Sequence, residues 1–160
     1  MARIKLDTFI NAPIEVVFNL SRSVDLHKIS AAHTTEEAIE GRTTGLMEPG
    51  ETVTWQAKHF GIRQELSVVI TNFDVPNYFT DEMVPGKGAF AAMMHQHMFY
   101  NQDGKTKLTD VFMYKSPLGV LGRLADELFL KRYMRNFLIK RNAIIKEFAE
   151  DPEKYKKILL

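Results

Sequence analysis

The 160-residue chain contains no cysteine. This excludes disulfide bonds, thiol catalysis and every cysteine-ligated metal site. The sequence also lacks an apolar run of about 18 residues, the minimum that would span a membrane. Its first residues alternate between polar and apolar types and do not form the apolar core of a signal peptide. We therefore expect a cytoplasmic protein without a transmembrane segment.

The chain has almost no excess of charge of either sign, because its 21 Lys and Arg residues are balanced by 20 Asp and Glu residues. Proteins dedicated to nucleic-acid binding carry a clear basic excess, so we expect no nucleic-acid partner. Hydrophobic residues make up 45% of the chain and charged residues 26%, which is typical of a folded globular domain. The length predicts a single domain over residues 1–160.

Several motifs of cofactor and catalytic chemistry are also missing. The sequence has no glycine-rich phosphate loop, no Gly-x-Ser-x-Gly nucleophile elbow and no His-Glu-x-x-His zinc motif. We accordingly expect no cofactor and no metal, and we assign no catalytic residues from motifs.

The order of secondary structure follows from hydrophobic periodicity and turn residues. Residues 3–10 alternate as a strand. Asn11 as a cap and Pro13 in the first turn then predict a short helix, followed by a second helix over residues 24–29 and a weak strand over 34–39. Five further strands are predicted at 51–60, 62–73, 78–84, 89–100 and 105–115. Their short connections predict an antiparallel meander.

The last part of the chain changes to helical spacing. Apolar residues recur from about residue 117 to residue 150, which predicts one long amphipathic helix. Strands that are segregated from helices indicate an α+β fold. A long helix against a curved sheet leaves a wedge, which is a natural ligand site.

The order of elements and three short motifs resemble the START and birch-pollen-allergen superfamily (SRPBCC). The motifs are Asn11-Ala12-Pro13, the stretch from Thr54 to Gly61 and Ser116-Pro117-Leu118-Gly119. The resemblance is to a bacterial branch near the polyketide cyclase/dehydratase proteins. It implies the helix-grip fold: a curved antiparallel sheet of about six to seven strands wrapped around a long C-terminal helix, with two short helices after strand 1. It implies no particular catalytic residues.

Two histidines stand out on one predicted strand. His95 and His97 are two residues apart and share a face. If Asp103-Gly104 forms a two-residue turn, His97 lies opposite Asp110 and His95 opposite Phe112. An aspartate across from a histidine can orient the ring and raise its pKa, as a general base or a polar anchor requires.

The histidine face must point inward for this interpretation, and the two faces of the strand give conflicting signals. Phe90, Met94 and Met98 on the other face are more apolar than the histidines. We expect the histidines inside, because the lysines of the partner strand mark its opposite face as exposed. Exposed apolar residues would then allow a homodimer as well as a monomer.

The inward faces of the strands predict an apolar pocket with a few polar groups, as small-molecule sites have. Phe60-Gly61 as a turn would place Trp55 opposite Leu66. The predicted ligand-binding residues are Trp55, His59, Gln64, Leu66, Asp81, Met93, His95, His97, Phe99, Asp110, Phe112 and Tyr114.

Alternatives remain open for these groups. The His-x-His pair could be a buried hydrogen-bonded group, a ligand contact, a zinc-ligand pair or a catalytic base. Trp55 could be core filler. The basic residues from Lys131 to Arg141 would usually be a solvated helix face, and a peripheral contact with a membrane surface is the less expected alternative.

We therefore expect a protein that binds a small hydrophobic or aromatic molecule between the sheet and the long helix. The alternative is an enzyme similar to the cyclases, with His97 as general base and Asp110 holding its tautomer.

Overall fold

The computed structural model describes residues 1–117 and 119–160. In these residues seven strands form one antiparallel, curved sheet with the order β1-β7-β6-β5-β4-β3-β2. The strands are β1 (Ala2–Ile10), β2 (Glu37–Gly41), β3 (Thr52–His59), β4 (Ile62–Asp74), β5 (Tyr78–Met83), β6 (Ala92–Gln102) and β7 (Lys105–Lys115). The meander from β3 to β7 is confirmed, and β1 closes onto β7.

The helices form two groups along the chain, one after β1 and one after β7, as predicted. They are α1 (Ile14–Ser21), α2 (Val24–Ser30), α3 (Gly119–Ala125), α4 (Lys131–Ala149) and α5 (Pro152–Leu159). A π-helical segment, Asp126–Leu130, joins α3 to α4, so helical structure runs from residue 119 to residue 149. Leu118, which the predicted long helix includes, lies outside the described residues.

The β6–β7 hairpin has the register that the sequence predicts. Asp103 and Gly104 both have positive φ, 53° and 80°, as a two-residue type I′ turn requires. His97 therefore pairs with Asp110 and His95 with Phe112. The β3–β4 hairpin likewise pairs Trp55 with Leu66.

Two local predictions were wrong. Asn11 does not cap α1, because Pro13 occupies the cap position in an extended conformation. The backbone N–H of Asn11 donates to the Glu150 carboxylate at 2.8 Å. The weak strand does not begin at residue 34, because Ala32–Thr34 forms a 3₁₀ turn. Thr35 then adopts the left-handed conformation, so β2 begins only at Glu37.

The core lies between the concave side of the sheet and the helices. Phe18 of α1 is fully buried and packs edge-on against Phe73, Phe79 and Phe99. Helix α4 contacts β1, α1 and α2. The C-terminal residues Ile158 and Leu159 pack back onto the core from α5. None of the helices in the described part of the chain is long and apolar enough to cross a membrane.

Candidate functional site

A cavity of about 370 Å³ lies between the sheet and the helical segment that runs from α3 to α4. The strands supply its inner wall because alternate residues share a face: Trp55, Ala57 and His59 come from β3, and Gln64 and Leu66 from β4. The lining is predominantly apolar. Its aromatic members are Trp55, Phe60, Phe90, Phe112, Phe129, Tyr133 and Phe137.

Eight of the twelve predicted ligand-binding residues line this cavity: Trp55, His59, Gln64, Leu66, Asp81, Met93, His95 and Phe112. The other four lie behind its wall. Phe99 and Tyr114 are buried in the core, and Asp110 is fully buried. His97 lines a smaller space of about 70 Å³ on the far side of His95. Phe90 lines the cavity although it was assigned to the outer face, because β6 begins only after it, at Ala92.

The two histidines do face inward, with exposed fractions of 6% for His95 and 2% for His97. The Nε2 atom of His95 lies 2.8 Å from Oδ1 of Asp110. His97 is placed between two carboxylates: its Nε2 atom is 2.8 Å from Asp81 Oδ1, and its Nδ1 atom is 2.9 Å from Asp110 Oδ1. The four side chains thus form a continuous buried chain, in which Asp81 and His95 reach the cavity.

Helix α4 completes this buried cluster with two residues that the sequence reasoning did not assign to the site. The Asn142 amide nitrogen donates to Asp110 Oδ2 at 2.6 Å. The Arg141 guanidinium lies 3.7 Å from Asp110 Oδ1 and donates to the Ser21 carbonyl at 3.0 Å. The prediction of a solvated basic face is therefore wrong for Arg141, which is only 6% exposed. Asn142 is even less exposed, and no local pattern of the sequence marks it.

The pKa values of His95 and His97 are shifted in opposite directions by their surroundings. Burial, together with neighbouring His97, lowers the pKa of His95 to about 4, so its ring is neutral at pH 7. Burial also disfavours a charge on His97, but the nearby Asp110 carboxylate and the hydrogen bond with Asp81 outweigh it and raise the His97 pKa. The pKa of Asp110 is held well below its usual value despite burial, because the His95 imidazole hydrogen-bonds to it and the His97 imidazole lies close by.

A second polar group lies elsewhere on the cavity wall. The His59 Nδ1 atom is 2.7 Å from the Tyr133 hydroxyl, and burial lowers the pKa of His59. Glu36, which sequence reasoning did not assign, also lines the cavity. Its Oε1 atom is 3.1 Å from His27 Nε2, and the His27 ring lies against Trp55 at 4.1 Å between centroids.

Within the described residues, Asp81, His95 and His97 form a set whose potential metal-ligand atoms all lie within 4.8 Å of one another. Two imidazoles and a carboxylate are acceptable zinc ligands. Here, however, each imidazole already contacts a carboxylate, and the Arg141 guanidinium supplies a positive charge. The position of His97 between the carboxylates of Asp81 and Asp110 therefore suits a proton on the imidazole better than it suits a divalent metal ion.

The mouth of the cavity is rimmed by apolar side chains. Phe60 has a φ of 52° at the tip of the β3–β4 hairpin, an unusual conformation for a bulky residue. Its ring packs against Tyr133 at 4.5 Å and Phe129 at 5.6 Å. Phe60 and Phe129 remain about half exposed, and Leu121 is 71% exposed. The hairpin tip and the helical segment thus meet across the opening.

No family model and no curated sequence matches the chain, but solved structures do. TTHA0849 from Thermus thermophilus aligns with a TM-score of 0.73 at 16% identity, over 91% of this chain and 95% of that one. Zhui aromatase/cyclase from Streptomyces sp. R1128 aligns with a TM-score of 0.74 at 12% identity, over 93% of each chain.

A plant protein has the same architecture. Ginseng major latex-like protein 151 from Panax ginseng aligns with a TM-score of 0.68 at 14% identity, over 94% of this chain and 98% of that one. Identities this low establish the fold alone. The chain therefore has the helix-grip fold that the sequence resemblance implied.

Proposed function

We propose that this protein binds a small, largely apolar molecule in the cavity between its sheet and its C-terminal helical segment. The observation that carries the proposal is the cavity itself: about 370 Å³ of space with a mostly apolar and aromatic wall and a few polar groups. This composition is the usual one for small-molecule sites. Burying about 300 Å² of apolar ligand surface would contribute roughly 7 kcal/mol, and ordering costs would leave an affinity of about micromolar.

The polar groups would set the orientation of the ligand. Asp81, His95 and Arg141 lie at one part of the wall, and Glu36, His59 and Tyr133 at another. Water can satisfy these groups when no ligand is bound. A ligand with matching polar atoms would replace that water and gain specificity from the match.

Native mass spectrometry of freshly purified protein tests the proposal by looking for a co-purified apolar molecule.

Trp55, the only tryptophan, lines the cavity, so its fluorescence should change on titration with an apolar aromatic probe such as 2-naphthol. The Ala57→Phe variant fills the cavity from β3 and should lose this response. Lys58→Phe places the same ring on the exposed face of that strand and should retain it. Equal responses of the two variants would place binding elsewhere.

A second candidate is an enzyme that removes an acidic proton next to a carbonyl group, and it is favoured by the geometry of His95. Its Nε2 atom faces Asp110, which leaves Nδ1 as the proton acceptor for a molecule in the cavity. The predicted base was His97, but His97 lies behind His95 and both of its nitrogens face carboxylates. A His95 pKa of about 4 keeps the ring neutral at pH 7, which is the protonation state in which it can accept the acidic C–H proton between two carbonyls of a polyketide-like chain.

Deuterium exchange of the C2 protons of acetoacetyl-N-acetylcysteamine, followed by NMR, tests this reaction directly. An enzyme of this kind should accelerate exchange above the buffer rate, and His95→Gln should abolish the acceleration. His33→Gln alters an exposed histidine outside the cavity lining and serves as the matched control. Probe binding without any accelerated exchange would leave the binding function intact and reject the enzymatic one.

A further inference from the structure

The Glu36 carboxylate is placed in the apolar cavity with half of its hydrogen-bonding capacity unused. Its side chain is only 8% exposed. The left-handed turn at Thr35 places it just before β2, on the cavity wall. Oε1 contacts His27 Nε2 at 3.1 Å, whereas Oε2 is buried and has no hydrogen-bond partner among the described residues.

A buried carboxylate oxygen without a donor is costly, so such atoms are normally paired with protein groups, water or a ligand. Two other polar groups of the cavity wall already have a partner. His59 and Tyr133 are hydrogen-bonded to each other at 2.7 Å. A carboxylate accepts hydrogen bonds only, so the missing partner must be an O–H or N–H donor.

We propose, on the basis of the binding function above, that the ligand is an apolar, ring-containing molecule with one hydroxyl or ammonium group that donates a hydrogen bond to Oε2 of Glu36. The ring system would lie along the aromatic side chains that line the same cavity, among them Trp55, Tyr133 and Phe137. An aromatic wall next to a carboxylate accommodates both kinds of donor, because ammonium groups are also attracted to aromatic faces.

The competing occupant of this position is a water molecule, which could donate to Oε2 in the same way. The two possibilities differ in what they predict for ligand selection. A ligand whose donor replaces the water gains affinity over an otherwise identical molecule without a donor. If water stays in place, the two molecules bind equally well.

Three naphthalene probes of similar size separate these cases: 2-naphthol, 2-(aminomethyl)naphthalene and 2-methylnaphthalene. Their dissociation constants can be measured by titration against Trp55 fluorescence and isothermal calorimetry. We expect at least one donor probe to bind about tenfold more tightly than 2-methylnaphthalene, as a charge-assisted hydrogen bond would allow. Which donor probe is preferred distinguishes a hydroxyl ligand from an ammonium ligand.

Variants then assign the preference to Glu36. In Glu36→Leu the donor probes should lose their advantage to within about twofold, while 2-methylnaphthalene binds at least as well as before. Glu37→Leu removes the adjacent exposed carboxylate, which is not among the residues that line the cavity, and should keep the preference. If Glu36→Leu does not fold, the isosteric Glu36→Gln provides the test, because loss of the negative charge should remove the advantage of the ammonium probe and weaken that of the hydroxyl probe.

The outcomes separate this inference from the binding function. If no probe binds, both are wrong. If 2-methylnaphthalene binds as tightly as the donor probes, or if the preference is undiminished in the Glu36 variants, the cavity remains a ligand site and only the assignment of a donor to Glu36 is overturned.

Discussion

The Nε2 atom of His95 lies 2.8 Å from Oδ1 of Asp110, and both residues are buried. The same carboxylate also contacts His97 and accepts a hydrogen bond from Asn142. Asp110 is thus the point at which β6, β7 and α4 are joined through polar contacts. Because helix α4 also supplies part of the cavity wall, this carboxylate stabilises the geometry of the candidate site.

We predict that Asp110→Asn destabilises the fold by about 3–5 kcal/mol, because removal of one partner leaves buried charges uncompensated. The amide keeps the shape but removes the negative charge that lies next to the Arg141 guanidinium and the His97 imidazole. Urea unfolding followed by circular dichroism measures the change. Asp103→Asn, in an exposed turn whose conformation asparagine tolerates, should change stability by less than about 0.5 kcal/mol. Similar losses in the two variants would contradict the central role of Asp110.

A second prediction concerns acid stability. The pKa of His95 is about 4 in the folded protein, against 6.5 for an unperturbed histidine, so between these values the unfolded chain binds the additional proton. The contribution of neutral His95 to the free energy of unfolding is therefore fully present above about pH 6.5, and it is lost as the pH falls from there toward the folded-state pKa of about 4. This pKa shift corresponds to a decrease of about 2 kcal/mol in the free energy of unfolding between pH 7 and pH 5.

The His95→Gln variant cannot bind this proton, and its stability should fall less steeply over the same range. Urea midpoints at pH 7, 6 and 5 for both proteins measure the difference. His97 has a raised pKa, so its contribution has the opposite sign, and it is lost as pH rises through that folded-state value. Parallel pH profiles for the wild type and His95→Gln would show that His95 is not the group responsible.

The strand register could be predicted because local signals determine it. The Asp103-Gly104 turn sets the pairing of β6 with β7, and period-two alternation then determines which side chains face inward. The wall residues that come from strands, such as Trp55 and Leu66, follow from that pairing. For the same reason, an irregular segment such as that of Phe90, just before β6, was assigned to the wrong face.

The residues contributed by loops and helices could not be predicted in this way. Arg141 lies in a basic run that is typical of a solvated face, and Asn142 has no apolar periodicity to mark it. Their burial depends on how α4 crosses the sheet, which involves contacts with residues more than 30 positions away, such as Asp110. Glu36 enters the cavity only because Thr35 adopts a left-handed conformation.

The burial of Arg141 leads to a third prediction. Arg141→Met should destabilise the protein by about 1.5–3 kcal/mol, because the charged donor to the Ser21 carbonyl and its attraction to Asp110 are lost. Since the positive charge of Arg141 lowers the pKa of His97, the variant should also raise that pKa further. Urea unfolding measures the first effect, and NMR titration of the imidazole nitrogens the second.

Lys140→Met is the matched control, because Lys140 precedes Arg141 on the same helix and is exposed. It should change stability by less than about 0.5 kcal/mol and leave the His97 titration unchanged. A stable Arg141→Met protein with an unchanged His97 titration would mean that the guanidinium has no electrostatic role in the cluster.

The fourth prediction concerns Gly41, at the end of β2 where this edge strand meets β3. Gly41 has a φ of 77°, and an added Cβ would lie 2.2 Å from the Thr52 carbonyl oxygen. Gly50 has nearly the same φ, 78°, but open space around the Cβ position. Gly50→Ala should therefore cost only the left-handed strain, about 1–2 kcal/mol. Gly41→Ala should cost about 1–3 kcal/mol more, because the backbone of β3 must move.

Urea unfolding of the two alanine variants gives the steric contribution as a difference, since the conformational strain is common to both. Probe binding adds a second readout: β3 contributes Trp55 and Ala57 to the cavity wall, so displacement of β3 at Thr52 should also weaken 2-naphthol binding in Gly41→Ala and leave it unchanged in Gly50→Ala. Equal stability of the two variants would show that β2 and β3 separate at Gly41 without cost, and that β2 does not hold the cavity wall in place.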